Sequence, residues 1–396
     1  MKVDIITHET GDILPLLLDD EGLPIPVPNE FIISRRFLSP NTLIRNLREL
    51  SILYLWLKKE KIDLEHRILS ELSFNEAEIK GGLIEYLRKD HEKRQKIKKL
   101  AVTPNTFNQR LTTVRQFFVW YIDIIIGSIP YSSDLYDQVL NNKNKLLRFF
   151  ETSFIQASPV NHMKIKGLTI KEVDFVLAQL NPNNKNAYGR DNAVKYRNYI
   201  MVMIMLYYGL RPGELLSLRV EDIEIGAISS IKVQRRNPDP YDLRKPRPQI
   251  KRNGRILAIQ DAMFAKNLDV YITEWREMLE DKSDKESNYL ILNDEGEPLS
   301  LSSINQFFQI LREKYPNDLP SHFTPKALRH TFSANMERNL RQAGMTEDRR
   351  KQTLSYLRGD SNLTSQEVYI AQEIHEQANN ALRKYQQDLI SEDLPW

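Results

Sequence analysis

The sequence predicts a mainly α-helical chain with a small β-sheet, organised as a helical domain followed by a larger mixed domain. Three observations carry that expectation. Up to about residue 158, apolar residues recur at helical spacing. The polar, helix-poor stretch SPVNHMKIKG then interrupts the pattern around Pro159 to Lys166. Beyond it, the strand-like segments ISSIKVQRR and RILAI are set among further helices. A length of 396 residues suits roughly two or three domains.

Taken in order, residues 1–30 carry Pro15, Pro24, Pro26 and Pro28 and read as an extension of short strands or irregular chain. From Ser39, SPNTLIRNLRELSILYLWLKKE places Leu43, Leu47, Leu50, Tyr54 and Leu57 on one helical face, with Ser39 as N-cap and Pro40 in the first helical position. EAEIKGGLIEYL is a second helical pattern that tolerates Gly81 and Gly82, and the following run RKDHEKRQKIKK is basic enough to face phosphates or to be a solvated face. TPNTFNQRLTTVRQFFVWYIDIII is a third helix, with Leu111, Val114, Phe117, Phe118 and Tyr121 on one side and Arg110 and Arg115 projecting outward to meet a nucleic acid. Residues 31–158 thus form a small helical domain. A second domain over 165–385 opens with the amphipathic LTIKEVDFVLAQL, followed by the apolar VKYRNYIMVMIMLYYGL as a central core helix whose methionines fill packing space. IHEQANNALRKYQQDLI is a further amphipathic segment, and 386–396 is a C-terminal tail.

Composition removes several functional classes. With 41% apolar and 28% charged residues, no run near the roughly 20 apolar residues of a membrane span, and a start, MKVDIITHETGD, without a secretory h-region, a cytoplasmic, membrane-free protein is expected. Absence of cysteine removes disulfides and thiolate metal sites. There is no GxxxxGK[ST] loop, no HExxH helix and no two-metal carboxylate spacing, so no metal or cofactor is expected. The net charge of +3 is too small to diagnose nucleic acid binding, and local distribution must carry that argument.

Three short contexts are richer. YYGLRPGELLSLRVEDI sets Glu214 three residues after Arg211, TPKALRHTFSANM contains Lys326, Arg329 and His330, and YLRGDSNLTSQEVYIAQ contains Asp360 and Tyr369. A guanidinium presents fixed donors that match two phosphate oxygens, which a lysine does less well. Together the contexts resemble the active site of the tyrosine recombinase (phage integrase) family, over a span from about residue 35 to about residue 375. The resemblance implies a helical, SAM-like core-binding domain and a mixed α/β-containing catalytic domain that clamp double-stranded DNA. Arg211 and Arg329 would stabilise the scissile phosphate, Glu214 would hold Arg211, and the Tyr369 hydroxyl would form a 3′-phosphotyrosyl link that conserves the phosphodiester energy without ATP or metal. His330 matches the histidine that commonly follows the second arginine.

Two positions depart from the family pattern: Lys326 stands where histidine is most often found, and Asp360 where histidine or tryptophan usually contacts the phosphate. Lysine is a poorer neutral-pH base than imidazole. A carboxylate repels developing negative charge unless it is turned away or paired, so Asp360 is expected to support the site, as a turn cap or by orienting Lys326, rather than to touch phosphate. His322, four residues before Lys326, reads as a loop residue. Lys251, ahead of the Asn253–Gly254 turn, is the leading proton donor to the departing 5′-oxygen, with Lys245 in reserve. Arg244, Lys245, Arg247, Lys251, Arg252 and Arg255 read together as a DNA-facing β-loop. The resemblance further implies a homo-oligomer on DNA, room for an accessory DNA-bending protein, and a C-terminal helix that packs on a neighbouring protomer, although a local intramolecular helix explains the same periodicity. The expected function is site-specific recombination of a mobile element. The alternatives are a cleavage-impaired DNA-binding or regulatory relative and a structural protein of a nucleoprotein assembly.

Overall fold

The structure, a computed structural model, describes residues 1–9, 11–91, 101–156, 167–237, 239–250, 254–360 and 368–389, with the side chains of 368–376, 388 and 389 outside the description. Residues 1–162 and 163–396 are two compact units. Each contains its own apolar core.

The first unit opens with an antiparallel hairpin, β1 (Lys2–Thr7) and β2 (Ile13–Leu18), paired from Lys2 opposite Leu18 to Thr7 opposite Ile13. Helix α1 (Pro26–Ser34) follows. Its presence corrects the reading of residues 1–30 as strand or irregular chain throughout: Pro26 and Pro28 sit in the first helical turn, where no N–H partner is available inside the helix anyway. Then come α2 (Pro40–Glu60), α3 (Leu64–Leu69), a π-helical segment Ala77–Ile84 running into α4 (Glu85–Arg88), α5 (Pro104–Gly127) and α6 (Asp134–Glu151). Ser39 and Thr103 cap α2 and α5, each accepting the backbone N–H three residues on, as their S/T-P-N-T sequences predict. Leu47, Leu50, Leu53 and Trp56 of α2 meet Leu111, Val114, Phe117 and Phe118 of α5, none more than 2% exposed. Side chains of this size contribute about 1.5–3 kcal/mol each when fully buried. The basic run over 88–99 lies mostly outside the described residues.

The second unit comprises α7 (Ile170–Leu180), α8 (Asn192–Tyr208), α9 (Pro212–Leu215), β3 (Ile223–Glu224), β4 (Ser229–Val233), β5 (Arg255–Ile259), α10 (Ala262–Val270) continuing through a π-helical Tyr271–Arg276 into α11 (Glu277–Glu280), then α12 (Leu301–Lys314), α13 (Pro325–Gln342), α14 (Glu347–Arg358) and α15 (Val368–Leu389). The strands form one antiparallel sheet in the order β3-β4-β5. Central to the unit is α8, whose residues Ile200 to Tyr208 are each at most 1% exposed, as an all-round apolar helix requires. It stops at Gly209, where φ is +59° and an added Cβ would fall 2.3 Å from the Phe332 ring, so glycine is demanded by both conformation and space. That stop delivers Arg211 to the start of α9. Helix α15 packs within its own unit through Ala378, Leu382 and Tyr385, and the Tyr385 hydroxyl donates to the Leu206 carbonyl at 2.8 Å. The tail boundary expected at 386 falls inside this helix, where Gln386 is buried.

Candidate functional site

Four arginines and two carboxylates from α9, β5, α13 and α14 converge in the second unit. Arg211 is the N-cap of α9, and Glu214 binds it twice: the Arg211 backbone N–H donates to Oε2 at 2.9 Å and Nη1 to Oε1 at 2.9 Å. Glu214 is 1% exposed and also receives Arg255 Nη2 at 3.1 Å, with Arg329 Nη1 at 4.0 Å. Burial pushes the Glu214 carboxyl up, but Arg255 and then Arg211 outweigh it and hold it below its ordinary value. The RPGE tetrapeptide therefore makes its own anchor. Arg329, one helical turn into α13, is 8% exposed and donates through Nη1 to the Gly209 carbonyl at 2.7 Å. Burial, then the neighbouring Arg211 charge, pulls its guanidinium down to about 10, which leaves it charged at neutral pH.

The Nη2 groups of Arg211 and Arg329 meet at the end of α14. The Arg358 carbonyl accepts from Arg211 Nη1 at 3.2 Å and Arg329 Nη2 at 2.9 Å. Asp360 then accepts from Arg211 Nη2 and from Arg329 Nη2 at 3.2 Å, and pairs electrostatically with Arg358, whose Nε lies 3.0 Å away. Desolvation alone would raise the Asp360 carboxyl, yet Arg358, Arg329 and Arg211 together hold it below its ordinary value. Asp360 is thus engaged with the arginines rather than with Lys326, the partner expected from sequence. Gly359 makes this possible: its φ is +60°, and an added Cβ would lie 2.4 Å from Arg255 Nη1.

The other expected members are placed less centrally. Lys326 is exposed on the first turn of α13, one turn before Arg329, and His330 is half-buried beside Arg329. His322 is exposed, with Nε2 at 3.4 Å from the Gly167 carbonyl. Tyr369 lies in the first turn of α15, and its side chain is outside the described residues. Lys251 and Arg252 are outside the described residues altogether.

The expected DNA-facing β-loop requires correction. Arg244 is buried, paired with Asp242 and bonded to the Leu216 and Leu299 carbonyls at 2.8 and 3.0 Å, with its guanidinium 4.2 Å from the centre of the Tyr289 ring. Arg247 is buried and donates to the Asp242 carbonyl at 2.8 Å, and Arg255 is buried against Glu214. These arginines anchor the loop to the domain. Lys245 alone among the described basic residues expected there is exposed. Arg110 likewise turns inward, its Nη1 donating to the Leu87 and Lys89 carbonyls at 2.8 Å each, and Arg115 is half-buried against Glu151.

Sequence reasoning overlooked the face of α5 that does reach solvent. Asn105, Gln109, Thr112 and Gln116 follow one another at helical spacing and, with Arg35 and Arg45, line a polar cleft of about 570 Å³ in the first unit. Arg35 donates to Gln116 at 2.9 Å. Beneath the cleft, Asn46 donates to Thr113 at 2.7 Å and Thr113 to the buried Glu49 at 2.6 Å. The spacing of amide side chains was the available signal.

Residues 171–343 match the phage integrase family model. Tyrosine recombinase XerC of Bacillus licheniformis is 26% identical over 174 residues, 44% of this chain and 48% of that protein, so the chain spans about half the length of the curated relative it matches. Among solved structures, the Tn1549 transposon integrase (residues 82–397) in complex with circular intermediate DNA is 18% identical, covering 87% of this chain and 93% of that one with a TM-score of 0.44. The XerH recombinase bound to its difH substrate is 14% identical, covering 88% and 94% with a TM-score of 0.41.

Proposed function

From the match of residues 171–343 to the phage integrase family model we propose that the chain belongs to that family and cuts and rejoins double-stranded DNA at specific sites through Tyr369. The observation that carries this reading is the convergence of Arg211 and Arg329: two guanidinium groups from different helices, fixed from behind by Glu214 and the Gly209 carbonyl, aim their remaining donors at one point. Preorganised donors of this kind stabilise the charge that accumulates on a phosphorus centre under attack and do not reorganise during the reaction. Tyr369 attacks the phosphorus, the bond to the 5′-oxygen breaks, and a proton passes to that oxygen to release a 5′-hydroxyl. Lys251 or Lys245 supplies the proton. Lys326, one turn before Arg329 in sequence, contacts the phosphate as an ammonium and takes the tyrosyl proton only in its deprotonated form. Attack by a new 5′-hydroxyl reverses the step and joins the exchanged strands. The basic and amide side chains lining the cleft on α5 contact the same DNA.

The test is covalent trapping on nicked duplexes tiled across the element boundaries. Wild-type protein is expected to leave a 3′ adduct at Tyr369, and the Tyr369→Phe variant to bind DNA and leave none; an adduct formed by that variant rejects the nucleophile. A second reading, a DNA-binding protein impaired in cleavage, is favoured by the carboxylate of Asp360 at the arginine pair. Specific DNA binding by the wild type with no adduct on any nicked site decides for it.

A further inference from the structure

We infer that Asp360 is the built-in occupant of the anion site, holding the outward donors of Arg211 and Arg329 until a phosphate displaces it. This rests on the reading of that pair as phosphate-binding. A carboxylate and a phosphodiester have the same formal charge and each offers two equivalent acceptor oxygens, so one replaces the other without leaving a donor empty. The inner donors of the pair are already committed: Arg211 Nη1 to Glu214 and the Arg358 carbonyl, Arg329 Nη1 to the Gly209 carbonyl. Arg329 Nη2 gives one N–H to the Arg358 carbonyl at 2.9 Å, and its other N–H, like the Nη2 group of Arg211, meets Asp360.

The tether is equally specific. The Asp360 N–H bonds the Ser355 carbonyl at 2.8 Å and the Gly359 N–H bonds the Tyr356 carbonyl at 2.9 Å, so the backbone is fixed by the end of α14. The side chain is 28% exposed and leaves by rotating toward solvent, keeping its ion pair with Arg358. Displacement thus requires a side-chain turn and no helix movement. If Asp360 stayed, its charge would lie beside the growing charge of the reaction and oppose it.

The experiment measures inorganic phosphate binding to the full chain by calorimetry, with no DNA present. Asp360→Asn and Asp360→Ala remove the competing charge and are expected to tighten binding by roughly tenfold or more, while Asp360→Glu stays close to wild type. Glu221→Gln, which removes an exposed carboxylate paired to Arg236 elsewhere in the unit, is expected to change nothing. Unchanged or weaker phosphate binding by Asp360→Asn overturns the inference, as does an equal gain in Glu221→Gln. In wild-type protein, saturating phosphate is also expected to move the carboxylate carbon resonance of Asp360; a stationary signal overturns the inference even if the variants misfold. Neither readout involves strand cleavage, so failure of the Tyr369 adduct would reject the proposed function and leave this result standing.

Discussion

At the scale of single residues, the site depends on a carboxylate buried behind its arginines. Glu214 is buried between Arg211 and Arg255, and among the described residues Arg255 Nε and Nη1 have no hydrogen-bond partner, so Glu214 is its principal compensation. Removing one member of a buried pair leaves the other charge uncompensated, at a cost of about 3–5 kcal/mol. Glu214→Gln is therefore expected to lower the stability of the second unit by that order, measured by urea unfolding at neutral pH. The same variant has a pH signature. Because the folded-state Glu214 carboxyl is held below its ordinary 4.5, its contribution is present above that value and fades as pH falls toward the folded one. Wild type should lose this increment on acidification and Glu214→Gln should not; parallel pH profiles would remove the assigned role. The Arg211–Glu214 relation was readable because it is local, three residues apart along one turn. Asp360 with Arg211 was not, since 149 residues separate them and only the fold brings them together. Arg244, Arg247 and Arg255 were misread because their inward partners lie in the loop fold or on another element, so a basic cluster looks the same in sequence whether it faces solvent or protein. Arg110 was legible but misread as outward: it follows Phe107 by three residues and precedes Val114 by four, which places it on the buried stripe.

At the scale of elements, α15 links the candidate nucleophile to the core. Its first turn contains Tyr369, and further along Leu382 and Tyr385 are fully buried, while Asn379 and Gln386 accept the backbone N–H groups of Ala258 and Gln260, each at 3.3 Å. The helix is thus stitched to β5 and to the chain just beyond it, as well as to α8. Leu382→Ala is expected to destabilise the unit by about 2–5 kcal/mol, and because the anchor and Tyr369 share one helix, adduct formation should fall by more than DNA affinity does. Trapping and binding assays on the same variant check this; an equal fall in both would mean that the helix serves only the core. Amphipathic periodicity gave α15 its existence but left its partner open, because an apolar stripe fits a neighbouring protomer as well as its own domain. Conversely α2 and α5 were legible through their caps and apolar stripes, α7 through its stripe, and α8 through its unbroken apolar run. The start of α1 was hidden by prolines that a first helical turn accepts, and the two-residue β3 is too short for any alternation to register.

At the scale of the molecule, the chain is two bodies with separate cores: one runs from Leu17 to Phe150 and the other from Leu168 to Tyr385, with no residue shared. Each unit is large enough to bury a core of its own. Fragments 1–162 and 163–396 are accordingly expected to unfold cooperatively when expressed alone. If both engage DNA, as proposed, the connection between them matters more than either surface, because a tether turns the second binding event into an intramolecular one and raises affinity by about 10²–10⁴-fold without any new contact. The full chain should then bind its duplex tighter than either fragment by about that factor, while an equimolar mixture of the fragments should not recover it. Salt separates the contributions: the slope of log affinity against log salt reports the phosphates neutralised, so the slope of the full chain should approach the sum of the fragment slopes. Fluorescence anisotropy on one duplex over a salt series measures all of these. A mixture that matches the full chain would place the coupling in association between the units, and a full-chain slope equal to that of the second unit alone would deny the polar cleft on α5 its proposed contact with DNA.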